Sequence, residues 1–408
     1  MKNKIIDSSW DFRGENTKQY THGFHSYPAM MIPQIAERLI KENIGNGEVI
    51  MDPFCGSGTV LVESMKANLK SYGIDINPLA ILISKVKTTP IDPDKLLRIS
   101  KELIMKCRFG NNNSYEIPEF NNMDFWFKKN VVKQLAIIKK NIDIYRTQDE
   151  LYNFFLVAFS ETVRKSSNTR SGEFKLYRIS ENDLKKHNPD AIKLFETRLM
   201  KSAEFMKKFY TEFKGNSQPN IFMGDVRREI PIKDKIDLVV TSPPYGDSRT
   251  TVAYGQFSRL SLQWLGMQPK EDVDKVSLGG VRYKEIKDIG SDSLGKTLRN
   301  ISKNNQERAQ DVYSFNLDLL ECFKSIVKTL SENGIVCFVV GNRTVTGIQI
   351  PTDAILAEFG ENLGLKHIRT FIRSIPSKRM PLKTSPSNIK GKVGKTITKE
   401  HIVILKNS

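Results

Sequence analysis

Apolar positions along the chain fall into short runs and helical stripes whose order is informative. Ile35, Leu39 and Ile40 share one face of a predicted helix over residues 32–44. The run Val49-Ile50-Met51 then ends on Asp52 and opens into Pro53-Phe54-Cys55-Gly56-Ser57-Gly58-Thr59, with a helix predicted over 60–67. A second short strand, 72–75, ends on Asp75 and leads into a predicted helix over 78–86. Strand, glycine turn, helix, strand is the opening of an open α/β sheet.

That alternation stops between residues 90 and 219. Val131, Leu135, Ile138 and Ile142 form an amphipathic stripe, and residues 151–165 and 192–213 also read as helices. Residues 166–188, between the last two, are polar, basic and rich in turn formers. Alternation resumes with strands at 221–224, before Asp225, and 236–240, before Thr241-Ser242-Pro243-Pro244-Tyr245-Gly246. After a long polar stretch to about residue 308 come a helix (314–330), a strand (334–340), a helix (351–363) and strands at 367–375 and 400–405. The predicted organisation is an N-terminal arm (1–20), a split α/β core (21–89 and 220–375, closed by a strand near 400–406) and a helical insertion (90–219). Residues 376–399, without an acidic residue, are predicted to be a basic loop or tail.

Composition narrows the class. No unbroken apolar run exceeds the six residues of 335–340, far short of the roughly 20 needed for a membrane span, and the N-terminus lacks a signal-peptide core. Cys55, Cys107, Cys322 and Cys337 form no CxxC pair, so no disulfide framework or zinc site is expected. An intracellular, cytoplasmic protein is expected. Lysine and arginine number 63 against 46 acidic residues, a net charge of +17, which favours a polyanionic partner.

Two constellations carry chemistry. In the first, Gly56 and Gly58 allow close backbone approach to a ligand, yet no lysine follows as in a Walker loop and no third glycine completes GxGxxG. Asp75 ends the next strand, where ribose hydroxyls need a carboxylate, and Asp225 is positioned to accept from an adenine amino group. Three acids at three strand ends beside a glycine turn suit a nucleoside without a phosphate. In the second, Pro243 and Pro244 remove two N–H donors and leave carbonyl acceptors. Ser242 adds a hydroxyl and Tyr245 a flat ring. The set suits a planar base with an exocyclic amino group. Cys55 reads as a small packing residue, His22 and His25 as core or surface residues, and Trp10, Trp126 and Trp264 as packing.

Residues 52–59, Gly73-Ile74-Asp75-Ile76-Asn77-Pro78, Gly224-Asp225 and Thr241 to Tyr245 resemble the motifs of S-adenosylmethionine-dependent DNA amino-methyltransferases. The Ser-Pro-Pro-Tyr form most resembles the cytosine-N4 subclass. The segment His25-Ser26-Tyr27-Pro28-Ala29 is similar to the family segment that contacts the methionine end of the cofactor. The resemblance implies a Rossmann-like methyltransferase sheet with helices on both faces, plus the helical insertion. It also implies S-adenosylmethionine held by Tyr27, Asp52, Phe54, Cys55, Gly56, Gly58, Asp75, Ile76 and Asp225, with no metal. Ser242, Pro243, Pro244 and Tyr245 would act on a base flipped from double-stranded DNA. A restriction endonuclease reading the same site is an implied partner. Competing readings are an adenine-N6 DNA methyltransferase, an RNA guanine-N2 methyltransferase and an inactive nucleic-acid-binding subunit.

Overall fold

The structure is a computed structural model that describes residues 3–111, 113–170, 172–213, 215–228, 230–376 and 397–408, with the backbone of 383–384 and 394–395. Eight strands form one sheet: β1 (Lys4–Ile6), β2 (Val49–Asp52), β3 (Lys70–Asp75), β4 (Asn220–Met223), β5 (Ile236–Thr241), β6 (Leu330–Val340), β7 (Leu365–Ser374) and β8 (Lys399–Asn407). Their spatial order is β1-β7-β8-β6-β5-β2-β3-β4, with β8 antiparallel to both neighbours and every other pair parallel. The chain runs outward from β2 through β3 to β4, then returns to the other side of β2 as β5. The crevice beyond the carboxyl ends of β2 and β5 is therefore the topological switch point, where open α/β sheets bind ligands.

Side chains alternate between the two faces with period two, as a sheet buried on both sides requires. Ile50, Leu238, Val240, Cys337, Val339, Ile402 and Ile404 share a core with Ile35, Leu39 and Ile40 of helix α1 (Pro33–Asn43). Met51, Val239, Val336, Phe338 and Leu405 instead join residues of the helices 306–329 and 352–362. This is the Rossmann-like sheet with helices on both faces.

Helices also fill residues 93–213. Pro93–Phe109, Lys129–Asp143, Asp149–Ser166 and Ala191–Phe213 pack into a third core rich in phenylalanine, including Phe154, Phe155, Phe159, Phe195 and Phe209. The first of these was not singled out from the sequence, although Leu96, Ile99, Leu103 and Cys107 form its buried stripe and Asp92 caps it by accepting from the Lys95 N–H at 2.8 Å.

Two further stretches differ from expectation. Residues 4–11 are no free arm: β1 extends the sheet beside β7, and Trp10 is fully buried under the Arg38 guanidinium. Three residues are too few to show a strand period, so only tertiary pairing defines this element. The polar stretch before residue 308 contains three helices, Tyr254–Leu265, Val273–Val276 and Asp292–Ser302, and the next helix begins at Gln306 rather than near 314. Most of the basic segment 376–399 lies outside the described residues.

Candidate active site

A cavity of about 910 Å³, partly open to solvent, lies at the switch point. Strand β2 delivers Asp52 into it, and β3 delivers Asp75. Each aspartate accepts from the backbone N–H two residues ahead: Phe54 to Asp52 at 3.1 Å and Asn77 to Asp75 at 2.8 Å. Such Asx turns let the strand leave the sheet while fixing the carboxylate. Gly56 donates its N–H to the other Asp75 oxygen at 2.9 Å, which ties the glycine turn to β3. Gly56 and Gly58 both take positive φ, 49° and 75°. A side chain on Gly58 would also strike Ser84, whose hydroxyl donates to the Gly56 carbonyl at 2.7 Å.

Burial dominates the electrostatics here. It pushes Asp52 up to about 7 and Asp75 up to about 6, in each case against hydrogen bonds that pull the other way. The Cys55 thiol is held well above its usual value by burial and then by Asp75 and Asp52, so it is no thiolate nucleophile. Asp225 also lines the cavity, but its carboxylate is committed. Arg227 grips it with Nε and Nη2 (3.0 and 2.7 Å) and with its backbone N–H, while Nη1 reaches Asp318 at 3.1 Å. The carboxylate expected to accept from an adenine amino group is thus shared with Arg227, two residues ahead of it.

The second motif arrives on β5. Thr241 donates its hydroxyl to Asp52 at 2.6 Å, joining the two sequence motifs across 189 residues. Ser242 and Pro244 line the same cavity as Asp52, Asp75 and Tyr27. Gly58, Pro243 and Tyr245 do not line it. The Tyr245 ring packs against Gly341, where an added Cβ would fall 2.7 Å from it, and its hydroxyl donates to Glu400 at 2.9 Å. Arg373 holds the other Glu400 oxygen at 2.8 Å. The phenol pKa is well above its usual value because of burial first and the Glu400 charge second. Gly246 is compulsory for a different reason: a Cβ there would sit 2.4 Å from the Arg343 guanidinium, which is bonded to Asp247 at 3.0 Å.

A family model described as DNA methylase matches residues 1–86. The type II methyltransferase M.MvaI of Kocuria varians is 41% identical over the whole of this chain and 96% of its own length. M.BsoBI of Geobacillus stearothermophilus, also a type II methyltransferase, is 22% identical over 95% of the chain and 86% of its own. M.MjaII of Methanocaldococcus jannaschii is 30% identical over 39% of the chain and 31% of its own. The chain belongs to the DNA methyltransferase family.

For a DNA methyltransferase the methyl donor is S-adenosylmethionine and the substrate is DNA. The cavity fits that donor. Each Asp75 oxygen accepts one backbone N–H, which leaves acceptor capacity for hydroxyl groups. Phe54, Ile76 and Val226 supply apolar walls. His22 and His25 are buried among protein partners, Glu63 and Ser160 respectively. Burial drives His25 down to about 3, so it stays neutral. No group of three His, Cys, Asp or Glu among the described residues could hold a metal ion, and none of their helices is long and apolar enough to cross a membrane.

Several residues that support this cavity carried no sequence-based expectation. Asn77 donates to the Tyr27 hydroxyl at 3.0 Å and to Ser258 at 2.7 Å, and so orients the aromatic wall. Its place before Pro78 at a helix start was a readable signal. Tyr254 stacks on Tyr27 with centroids 6.0 Å apart and also lines the cavity. No local signal marked it, because its helix lay inside a stretch read as polar.

Proposed function

We propose that this enzyme transfers the methyl group to the exocyclic N4 of cytosine in double-stranded DNA, as the modification half of a restriction–modification system in the cytoplasm. The observation that carries this reading is Ser242 lining one cavity with Asp52 and Asp75, on a Ser-Pro-Pro-Tyr loop of the cytosine-N4 type. S-adenosylmethionine, when bound, supplies an electrophilic methyl group on a sulfonium. Asp75 would hold the ribose hydroxyls, Tyr27, Phe54, Cys55 and Gly56 the methionine end, and Ile76 the adenine face. Asp225 would act on the adenine side mainly by fixing Arg227 rather than as a direct acceptor.

An aromatic amine is a poor nucleophile because its lone pair is delocalised into the ring. The Ser242 hydroxyl and the Pro243 carbonyl would each accept one amino hydrogen, favouring a nitrogen whose lone pair leaves the ring plane. Pro244 stiffens the turn, and Tyr245 offers its ring for stacking once the base has left the duplex. Both cytosine and adenine carry such an amino group, so hydrogen bonding alone does not choose between them. Digestion of DNA methylated by the purified protein, followed by mass spectrometry of the nucleosides, decides the matter. N4-methylcytosine is the expected product. N6-methyladenine would overturn the base assignment while keeping the pocket, and 5-methylcytosine would overturn the mechanism.

A further inference from the structure

Beside the Ser-Pro-Pro-Tyr loop lies a charge cluster that the methyl-transfer chemistry does not use. Asp311, almost completely buried, is gripped by three arginines from three separate parts of the chain. Arg249 Nη2 lies 2.6 Å from Oδ1, Arg282 Nε 2.7 Å from Oδ1, and Arg308 Nη1 2.6 Å from Oδ2. Two further carboxylates approach the cluster: the fully buried Asp247, 3.8 Å from Arg249 Nε and shared with Arg343, and Glu307, 73% exposed and 2.9 Å from Arg282. Such an exposed pair contributes little.

One buried carboxylate thus holds three guanidinium groups that remain 23–39% exposed. With Arg343 included, four guanidinium groups meet two buried carboxylates, so the cluster keeps an excess of positive charge that suits a further anion. Its position is telling. Arg249 follows Tyr245 by four residues and donates to the Gly279 carbonyl at 3.3 Å, next to Leu278 of the cavity wall. Lys175, from the polar stretch between helices 149–166 and 191–213, donates to the Arg249 carbonyl at 2.7 Å and brings another charge to the same edge.

We propose that Arg249, Arg282 and Arg308 form a preorganised clamp for a backbone phosphate of the DNA strand entering the cavity, with Asp311 as the post that aims them. Guanidinium groups suit this task because their planar N–H forks match phosphate oxygens; Arg282 gives Nε and Nη2 to Asp311 (2.7 and 3.3 Å) and Nη1 to Glu307, which leaves the second hydrogens of its two Nη groups for an anion. The inference rests on DNA as the substrate but not on which base is methylated.

The test is fluorescence anisotropy on a labelled duplex between 50 and 200 mM salt, with cofactor affinity measured in parallel. Arg282→Gln removes one phosphate contact, so its affinity should change roughly threefold less than the parent's over that salt range. Arg282→Lys, which keeps the charge, should restore the parent's salt response. Glu307→Gln removes the rival carboxylate at an exposed position and should tighten DNA binding about twofold at 50 mM salt. An Arg282→Gln protein with normal cofactor affinity and the parent's salt response overturns the clamp. If Arg282→Gln does not fold, Glu307→Gln decides: no gain in DNA affinity overturns the proposal. A protein that makes N6-methyladenine would still show these salt effects, so this test stands apart from the base assignment.

Discussion

The two halves of the cavity are built by opposite means. On the proposed cofactor side each acid is set by its own neighbours: Asp52, Asp75 and Asp225 all accept from the N–H two residues ahead. On the proposed base side almost every support is remote. Thr241 reaches Asp52 across 189 positions, Tyr245 reaches Glu400 across 155, and Asp247 meets Arg343 across 96. A locally wired half can be read and altered residue by residue. A remotely wired half responds to changes far away in the chain, and those changes should move catalysis without moving cofactor affinity.

The largest effect should come from Ser242→Ala. Losing the hydroxyl acceptor should slow methyl transfer on the order of 10²-fold, the scale for removing one preorganised hydrogen bond at a reacting centre. Cofactor affinity measured by calorimetry should stay at the parent value. A variant that methylates at the parent rate would place the base pocket elsewhere and break the division between the halves.

Asp75→Ala should act on the other side alone, weakening S-adenosylmethionine binding by about 1.5–3 kcal/mol. A pH series sharpens the point. Burial raises both acids, so the ionised forms that accept hydrogen bonds prevail only above about 7 for Asp52 and about 6 for Asp75. Cofactor affinity should hold at higher pH and fall as pH drops through 7 and then 6, with proton uptake opposing binding. In Asp75→Ala the lower step should vanish. Unchanged affinity in a folded Asp75→Ala protein would remove the ribose assignment.

The smallest effect belongs to Glu400→Gln, which keeps an acceptor for the Tyr245 hydroxyl but loses the charge that Arg373 steadies. A fall in kcat of a few fold, about 1 kcal/mol, with unchanged cofactor affinity is expected. If kcat does not move, packing on Gly341 suffices to place the ring.

By itself the sequence determined what depends on neighbours. Alternating apolar runs set the strands, and an acid at the end of a strand beside Gly56 marked the ligand-binding edge. The residue types of Thr241 to Tyr245 carried the resemblance to amino-methyltransferases. Periodicity works there because a buried sheet must show period two and a packed helix period 3.6. Only the tertiary structure decided that residues 4–6 complete the sheet, because three residues are too few to show a period. It alone turned Tyr245 onto Gly341 under Glu400 and brought Arg249 and Arg282 to Asp311. Side-chain partners separated by 29 to 189 positions leave no mark in the local pattern; they meet because the sheet order folds distant strand ends onto one crevice.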